Sequence, residues 1–210
     1  MAPWFEEVGE LSRRLVEDGA WSSEERMRAE ALAWRMLQWG RTARQSVFSA
    51  AVVEVVFRRA LGLPVAFDPP MSSGWTKVAA LATAYLEGVP GRAPHVIWDS
   101  RVSTSLVFRL DQLLADRDGL DPKAVFPRIG VVPGRGGSRK VGGVRHPSRL
   151  RLRWSHAYGR WSGQDAGSEL VRELRDEFNR GGFAPMPTSP GLNAPWTIRG
   201  VESVLFMDGY

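Results

Sequence analysis

One amine and one carboxylate stand out because each lies at the predicted start of a helix. Lys77 follows a Gly-containing turn and opens an Ala-rich helical run, while Asp99 follows a short apolar strip and opens the next run. Helix starts carry unpaired N–H groups and a partial positive charge, so they attract phosphates and favour an ionised Asp. The two helix starts therefore predict a site that combines an amine with a carboxylate.

The residues around this pair resemble a known family. The run Gly74–Ala79 reads GWTKVA, the run Val96–Val102 reads VIWDSRV, and 22 residues separate Lys77 from Asp99. Over roughly forty residues this pattern is similar to the helix-hairpin-helix DNA glycosylases of base-excision repair, especially the small bacterial 8-oxoguanine-glycosylase-like proteins. The chain departs from the family at Ser73-Gly74-Trp75, which stands where the family has a two-glycine turn.

The resemblance implies a fold. We expect an all-α protein, a two-lobed helical domain with a helix-hairpin-helix motif and the catalytic Lys and Asp between the lobes. The whole chain, 1–210, is expected to form this single domain. Residues 72–110 would hold the hairpin and both catalytic helices, and residues 128–160 would form a basic loop segment.

Breaking an N-glycosidic bond develops positive charge on the sugar, so the catalyst needs an ionised carboxylate beside C1′ and a nucleophile. Asp99 suits the first role, although Asp is also a preferred helix N-cap with no chemistry. Lys77 suits the second if burial or a positive neighbour keeps it neutral, because a free lysine is almost fully protonated at pH 7. The alternative for Lys77 is a phosphate contact without covalent chemistry.

Contacts to DNA are expected at two places. The hairpin residues Ser73, Gly74, Trp75 and Thr76 and the nearby Arg101 would meet the phosphates, as the resemblance implies. The segment 128–160 holds nine Arg or Lys and no Asp or Glu, which predicts a polyanion partner, with Arg149, Arg151 and Arg153 as candidate contacts. The alternative is a solvated loop without a ligand.

A base must leave the duplex before it is cleaved, and a flipped base is usually held between aromatic faces. Candidates for the base pocket or for the wedge that fills the vacated space are Gln38, Trp39, Gln45, Trp98 and Trp196. The alternatives are an ordinary polar turn for Gln38 and Gln45, and core packing for each tryptophan.

Composition bounds the remaining expectations. The chain has no cysteine, which excludes disulfides and Cys-ligated zinc or iron–sulfur clusters, and we expect no cofactor and no metal. No apolar run is long enough to span a membrane, so we expect a cytoplasmic, nucleoid-associated monomer whose partner is double-stranded DNA with a modified base.

Helical periodicity covers most of the chain, and strand-like alternation is nearly absent. Ser22 and Glu25 predict a capping box for a helix that would bury Met27, Ala31, Trp34 and Leu37 and stop at Gly40. Further helices are predicted over 43–61, over 100–115 with Leu113 facing inward, over 166–179, and after a Thr197 cap. The stretch 133–143 predicts a flexible basic loop.

The expected function is excision of a modified base from DNA, which leaves an abasic site, with a lyase step if Lys77 is the nucleophile. We favour a bulky modified cytosine of phage DNA, such as glucosylated hydroxymethylcytosine, because long loops leave room for a large base. The alternatives are 8-oxoguanine repair, a non-catalytic DNA-binding module, and an RNA-binding protein acting through the Arg-Gly loop.

Overall fold

The computed structural model describes residues 4–42, 47–117, 119, 121, 124, 131–133, 138–141, 144–147, 152–154, 159–189 and 192–208. The helices in these ranges are α1 Trp4–Asp18, α2 Ser23–Trp39, α3 Ala50–Ala60, α4 Ser73–Ala82, α5 Ser100–Ala115, α6 Trp161–Arg180 and α7 Ile198–Asp208, and a 3₁₀ turn, Ala84–Leu86, follows α4. The prediction of a helical protein is thereby confirmed.

Three short antiparallel strand pairs accompany the helices. The strands are β1 Val131–Pro133, β2 Ser138–Val141, β3 Val144–Pro147, β4 Leu152–Trp154, β5 Met186–Ser189 and β6 Leu192–Ala194. β1 pairs with β4, β2 with β3, and β5 with β6. The prediction of a flexible loop over 133–143 is wrong for 138–141, since Arg139 lies opposite His146 in the β2–β3 ladder.

The chain divides into two compact units, residues 1–97 and residues 98–210. The boundary lies inside the apolar strip, between Ile97 and Trp98. Lys77 therefore belongs to the first unit and Asp99 to the second.

The first unit packs α1, α2, α3 and α4 around an aliphatic and aromatic core. The predicted capping box of α2 is present: the Glu25 N–H donates to Ser22 Oγ, and the Glu25 carboxylate accepts from the Ser22 N–H at 2.8 Å. Trp21, which is 3% exposed, donates to the Leu11 carbonyl at 2.8 Å and meets Phe57 edge to face. The core thus satisfies the polar atom of its large indole.

Two details of this unit correct the sequence analysis. Met27, Ala31 and Trp34 are exposed, whereas Leu37 is buried as predicted. The other buried residues of α2 are Ala29, Leu32, Ala33 and Met36. The third helix begins at Ala50 rather than 43, because Ser49 caps it by accepting from the Val52 N–H. A cap competes with continued helix on its N-terminal side, so residues 47–49 are not helical.

The second unit ties α5 to α7 through polar contacts. Ser105 donates to the Asp208 carboxylate at 2.6 Å, and Arg109 binds both Ser105 and Asp208. α6 begins at Trp161, five residues before its predicted start, and Thr197 caps α7 as predicted by accepting from the Gly200 N–H at 2.9 Å. Leu113, predicted to face inward, is exposed, and Leu114 is buried in its place.

Among the described helices, none combines the length and the apolar character needed to cross a bilayer.

Candidate active site

Lys77 is a buried lysine in the second turn of α4. Lys77 is only 5% exposed, and its Nζ donates to the Ser73 carbonyl at 2.9 Å. Every residue of α4 after Ser73 is buried, so Lys77 lies on a helix that is enclosed on all of its faces. Burial of this kind is the environment that a nucleophilic lysine requires.

The alkyl stem of Lys77 lies directly against Gly40, at the end of α2. A Cβ atom built at position 40 would lie 2.3 Å from Lys77 Cδ and 2.7 Å from Lys77 Cε. These distances are far below van der Waals contact, so the lysine occupies the space that a side chain at position 40 would need. The turn after α2 is therefore part of the surroundings of Lys77.

The expected Gly-containing hairpin is not formed, and this corrects the sequence analysis. Ser73, Gly74, Trp75 and Thr76 are the first turn of α4, and Ser72 is its N-cap, accepting from the N–H groups of Gly74 and Trp75. Gly74, Trp75 and Thr76 are buried. These residues are therefore helical rather than a loop, and their contact with DNA phosphates stays a prediction.

Residues 61–72 form the connection from α3 to α4. This connection is longer than a tight hairpin, and its Phe67 is 53% exposed. Pro69 and Pro70 keep it from continuing either helix.

Asp99 caps α5, as its position in the sequence predicts. Its Oδ1 accepts from the Arg101 N–H at 2.9 Å and from the Val102 N–H at 3.3 Å, and the residue is 6% exposed. Earlier in the chain, in the first unit, the Thr83 hydroxyl accepts from the His95 N–H at 2.8 Å and donates to the Ala79 carbonyl. The carboxylate is thus held in one orientation by backbone donors.

Trp98 is fully buried and packs on the backbone of α6. A Cβ atom at Gly167 would lie 2.4–2.8 Å from three atoms of its indole ring. The Trp98 ring therefore packs directly on Gly167. In the sequence, Trp98 immediately precedes Asp99. This arrangement gives Trp98 a core role in the second unit, which is the alternative considered for each tryptophan.

Trp39 and Trp196 have different surroundings. Trp39 is 55% exposed at the end of α2 and meets Trp4 edge to face at 6.5 Å between ring centroids. Trp196 is fixed by the Asn179 side chain, which bonds both its N–H and its carbonyl, and its Nε1 donates to Ala184. Of these two tryptophans, Trp39 is the one that adjoins Gly40 in the sequence, the residue that contacts Lys77.

Gln38 is exposed in the last turn of α2, one residue before Trp39. Gln45 lies outside the described residues, as do Arg149 and Arg151, and of Arg153 only the backbone is described, opposite Val132 in the β1–β4 ladder. Arg101 is half-buried, with its guanidinium 4.7 Å from the centre of the Phe206 ring.

Three residues with no predicted site role contact candidate residues within their own units: Gly40 contacts Lys77 and Ser72 caps α4 in the first unit, and Gly167 contacts Trp98 in the second. Ser72 was recognisable as a Ser preceding a helical run, but the glycines contact residues far away in the sequence. Comparison with known proteins finds no matching family model, no matching curated protein and no matching solved structure. The function is therefore argued from the residues of this chain.

Proposed function

We propose that this protein is a DNA glycosylase in which Lys77 is the nucleophile and Asp99 stabilises the positive charge that develops on the sugar. The observation that carries the proposal is the buried amine of Lys77, 5% exposed and held at the first turn of a capped helix. Burying an amine is costly, so a chain that places one in an apolar helix has a use for it. Asp99, also buried, supplies the carboxylate that the same reaction needs.

The proposed reaction forms one bond to C1′ as another breaks. The neutral amine of Lys77 attacks C1′, the bond from C1′ to the base nitrogen breaks with its electron pair on the base, and the base takes up a proton. The sugar ring then opens: the amine passes one of its two protons to the ring oxygen as the bond from C1′ to that oxygen breaks, and the nitrogen lone pair forms the C=N bond of a Schiff base that keeps the other proton. Asp99 lowers the barrier because its negative charge opposes the positive charge on the sugar in the transition state.

Covalent trapping tests this assignment. Borohydride adds hydride to a Schiff base and leaves a stable protein–DNA adduct, so wild type should give an adduct on modified plasmid DNA and Lys77→Ala should give none. The chain has two other lysines, Lys123 and Lys140, so Lys123→Arg and Lys140→Arg are matched controls. Both control variants should form the adduct as wild type does.

Alkali-labile strand breaks give a second readout of the same reaction. Base loss without any adduct would make water the nucleophile and remove Lys77 from that role. Binding of DNA without base loss would leave the non-catalytic DNA-binding module in place of the enzyme.

For the substrate we favour a bulky modified cytosine, such as glucosylated hydroxymethylcytosine of phage DNA, in an antiviral role. What supports this is irregular chain in each unit: the connection 61–72 leads directly into α4, and residues 181–185 are exposed after α6. Loops commonly carry recognition, and a sugar-bearing base needs room and polar donors. The alternative is 8-oxoguanine in ordinary oxidative repair.

A side-by-side excision assay separates these substrates. The duplexes would contain 8-oxoguanine, plain cytosine, hydroxymethylcytosine or its glucosylated form. We expect release from the glucosylated duplex first. Rapid release of 8-oxoguanine with the glucosylated duplex intact would replace the defence role by repair.

A further inference from the structure

Position 40 holds a glycine that the local backbone does not require. Its φ of −73° and ψ of 0° lie in the right-handed region that any L residue adopts. The next residue, Arg41, takes the left-handed conformation, with φ +49°, where glycine is usually found at a helix end. Glycine therefore stands at position 40, where any residue fits the backbone. Arginine stands at position 41, where the left-handed backbone favours glycine.

The termination of α2 is otherwise complete without a glycine. The Gly40 N–H donates to Met36, the Arg41 N–H to Gln38, and the Thr42 N–H to Leu37, with the Thr42 hydroxyl also donating to Leu37. An alanine at position 40 could make the same backbone bonds. The remaining reason for glycine is space: a Cβ would lie 2.3 and 2.7 Å from Cδ and Cε of Lys77, and 3.3 Å from the Met36 carbonyl oxygen, so the two lysine atoms make the severe overlap.

We propose that Gly40 is the positioning residue of Lys77. Because position 40 has no side chain, the lysine stem lies across the end of α2 and its Nζ reaches the Ser73 carbonyl. Any larger residue moves the stem, and with it the amine. That Lys77 acts as a nucleophile rests on the proposed function. That Gly40 sets the position of its amine does not.

The test compares Gly40→Ala with Gly9→Ala. Gly9 lies in the same unit, and a Cβ there meets its neighbours at an ordinary 3.6 Å. Each folded protein is treated with an amine-acetylating reagent, and the acetylation rate of Lys77 is measured by peptide mass spectrometry, with Lys123 and Lys140 as internal references. We expect a several-fold faster rate at Lys77 in Gly40→Ala, and unchanged rates at all three lysines in Gly9→Ala.

A double variant separates displacement of the amine from weakening of the turn. Arg41→Gly removes the left-handed strain, so in the Gly40→Ala background it should restore stability while Lys77 stays reactive. Return of Lys77 to the wild-type rate in that double variant would overturn the inference. So would an unchanged Lys77 rate in a folded Gly40→Ala protein.

Two further outcomes are decisive. If Gly40→Ala fails to fold, Gly40→Ala with Lys77→Ala should fold as well as Lys77→Ala alone, because the clashing atoms are gone. Failure of that pair as well would show that the glycine serves another purpose and overturn the inference. If wild type never traps DNA but Lys77 reacts faster in Gly40→Ala, the proposed function fails and the positioning role stands.

Discussion

Asp99 caps α5, and the proposed function gives the same side chain a chemical role that substitution can separate from the cap. Asparagine keeps an Oδ1 that accepts the Arg101 and Val102 N–H groups, so Asp99→Asn should fold and bind DNA like wild type. It carries no charge, so excision should fall by about 10²- to 10³-fold, the usual cost of one preorganised electrostatic contact. Single-turnover excision and thermal unfolding measure the two effects.

Two comparisons make that result specific. Asp116→Asn removes a carboxylate from the exposed end of the same helix and should leave excision unchanged. Asp99→Ala should lose excision and also about 1 kcal/mol of stability, because the cap is gone. Full activity in Asp99→Asn would make Asp99 an N-cap only.

Glu25 links the stability of the first unit to pH. The Ser22 N–H and hydroxyl, and then Arg14, hold the pKa of the Glu25 carboxylate below its usual value of 4.5. A carboxylate whose pKa is lowered on folding stabilises the protein above its unfolded pKa, and this stabilisation is lost as pH falls through the folded pKa. Glu25→Gln keeps a capping side chain without the charge, so it should be less stable than wild type at pH 7.

Melting temperatures measured from pH 7 down to pH 3 check this prediction. The difference between wild type and Glu25→Gln should shrink below pH 4.5. A difference that stays constant across the range would show that charge on Glu25 contributes nothing to the cap.

At the scale of the element, α6 depends on Gly167 to accept the Trp98 ring. Alanine favours a helix, but its Cβ would overlap three ring atoms of a fully buried indole. Gly167→Ala should therefore destabilise the protein by about 1–3 kcal/mol, as overpacking does. Urea unfolding measures it, and Gly9→Ala, which creates no overlap, should be neutral or stabilising.

Replacing Trp98 with a smaller side chain supplies the complementary test for α6. Trp98→Leu leaves space above position 167, so adding Gly167→Ala to that background should cost less than it costs in wild type. Equal costs in both backgrounds would place the defect somewhere other than the contact between Trp98 and Gly167.

The sequence predicted the elements that carry their own local signals. The capping box at Ser22, the Asp99 cap and the extent of α5 follow from residues within one helical turn. The face of α2 was predicted wrongly, because Met27 and Trp34 fit an apolar stripe whereas the core takes Ala29, Leu32 and Met36. Strands of three or four residues in an Arg- and Gly-rich stretch show too little alternation to predict.

The contacts of Lys77 and Trp98 were less predictable, because they join residues that lie far apart in the sequence. Lys77 and Asp99 could be named from their places at predicted helix starts, but Gly40 lies 37 positions from Lys77 and Gly167 lies 69 positions from Trp98. No local spacing joins such pairs. The first turn of α4 was read as a loop because Ser73-Gly74 is typical of turns, and the Ser72 cap made it helical instead.

At the scale of the whole molecule, the charge is unevenly distributed along the chain. The formal net charge is +5, yet residues 128–160 hold nine basic residues and no acidic one, so the remainder is net acidic. Several basic residues elsewhere form ion pairs on helix surfaces, as Arg26 does with Glu54 and Arg172 with Glu169. If the protein binds DNA, the segment 128–160 is the part of the chain expected to meet the phosphates.

Salt dependence of binding tests that assignment. The logarithm of the binding constant should fall with the logarithm of salt concentration, by a slope of about 0.9 for each phosphate contact on duplex DNA. Replacing Arg149, Arg151 and Arg153 with Gln should flatten the slope by up to that amount per residue. The control replaces Arg26, Arg172 and Arg180 with Gln, which lowers the net charge equally but removes only surface ion pairs. Fluorescence anisotropy across a salt series would measure all three proteins. If the first variant keeps the wild-type slope, or if the control flattens it as much, then total charge or another surface governs binding, and residues 149–153 are not the DNA contact.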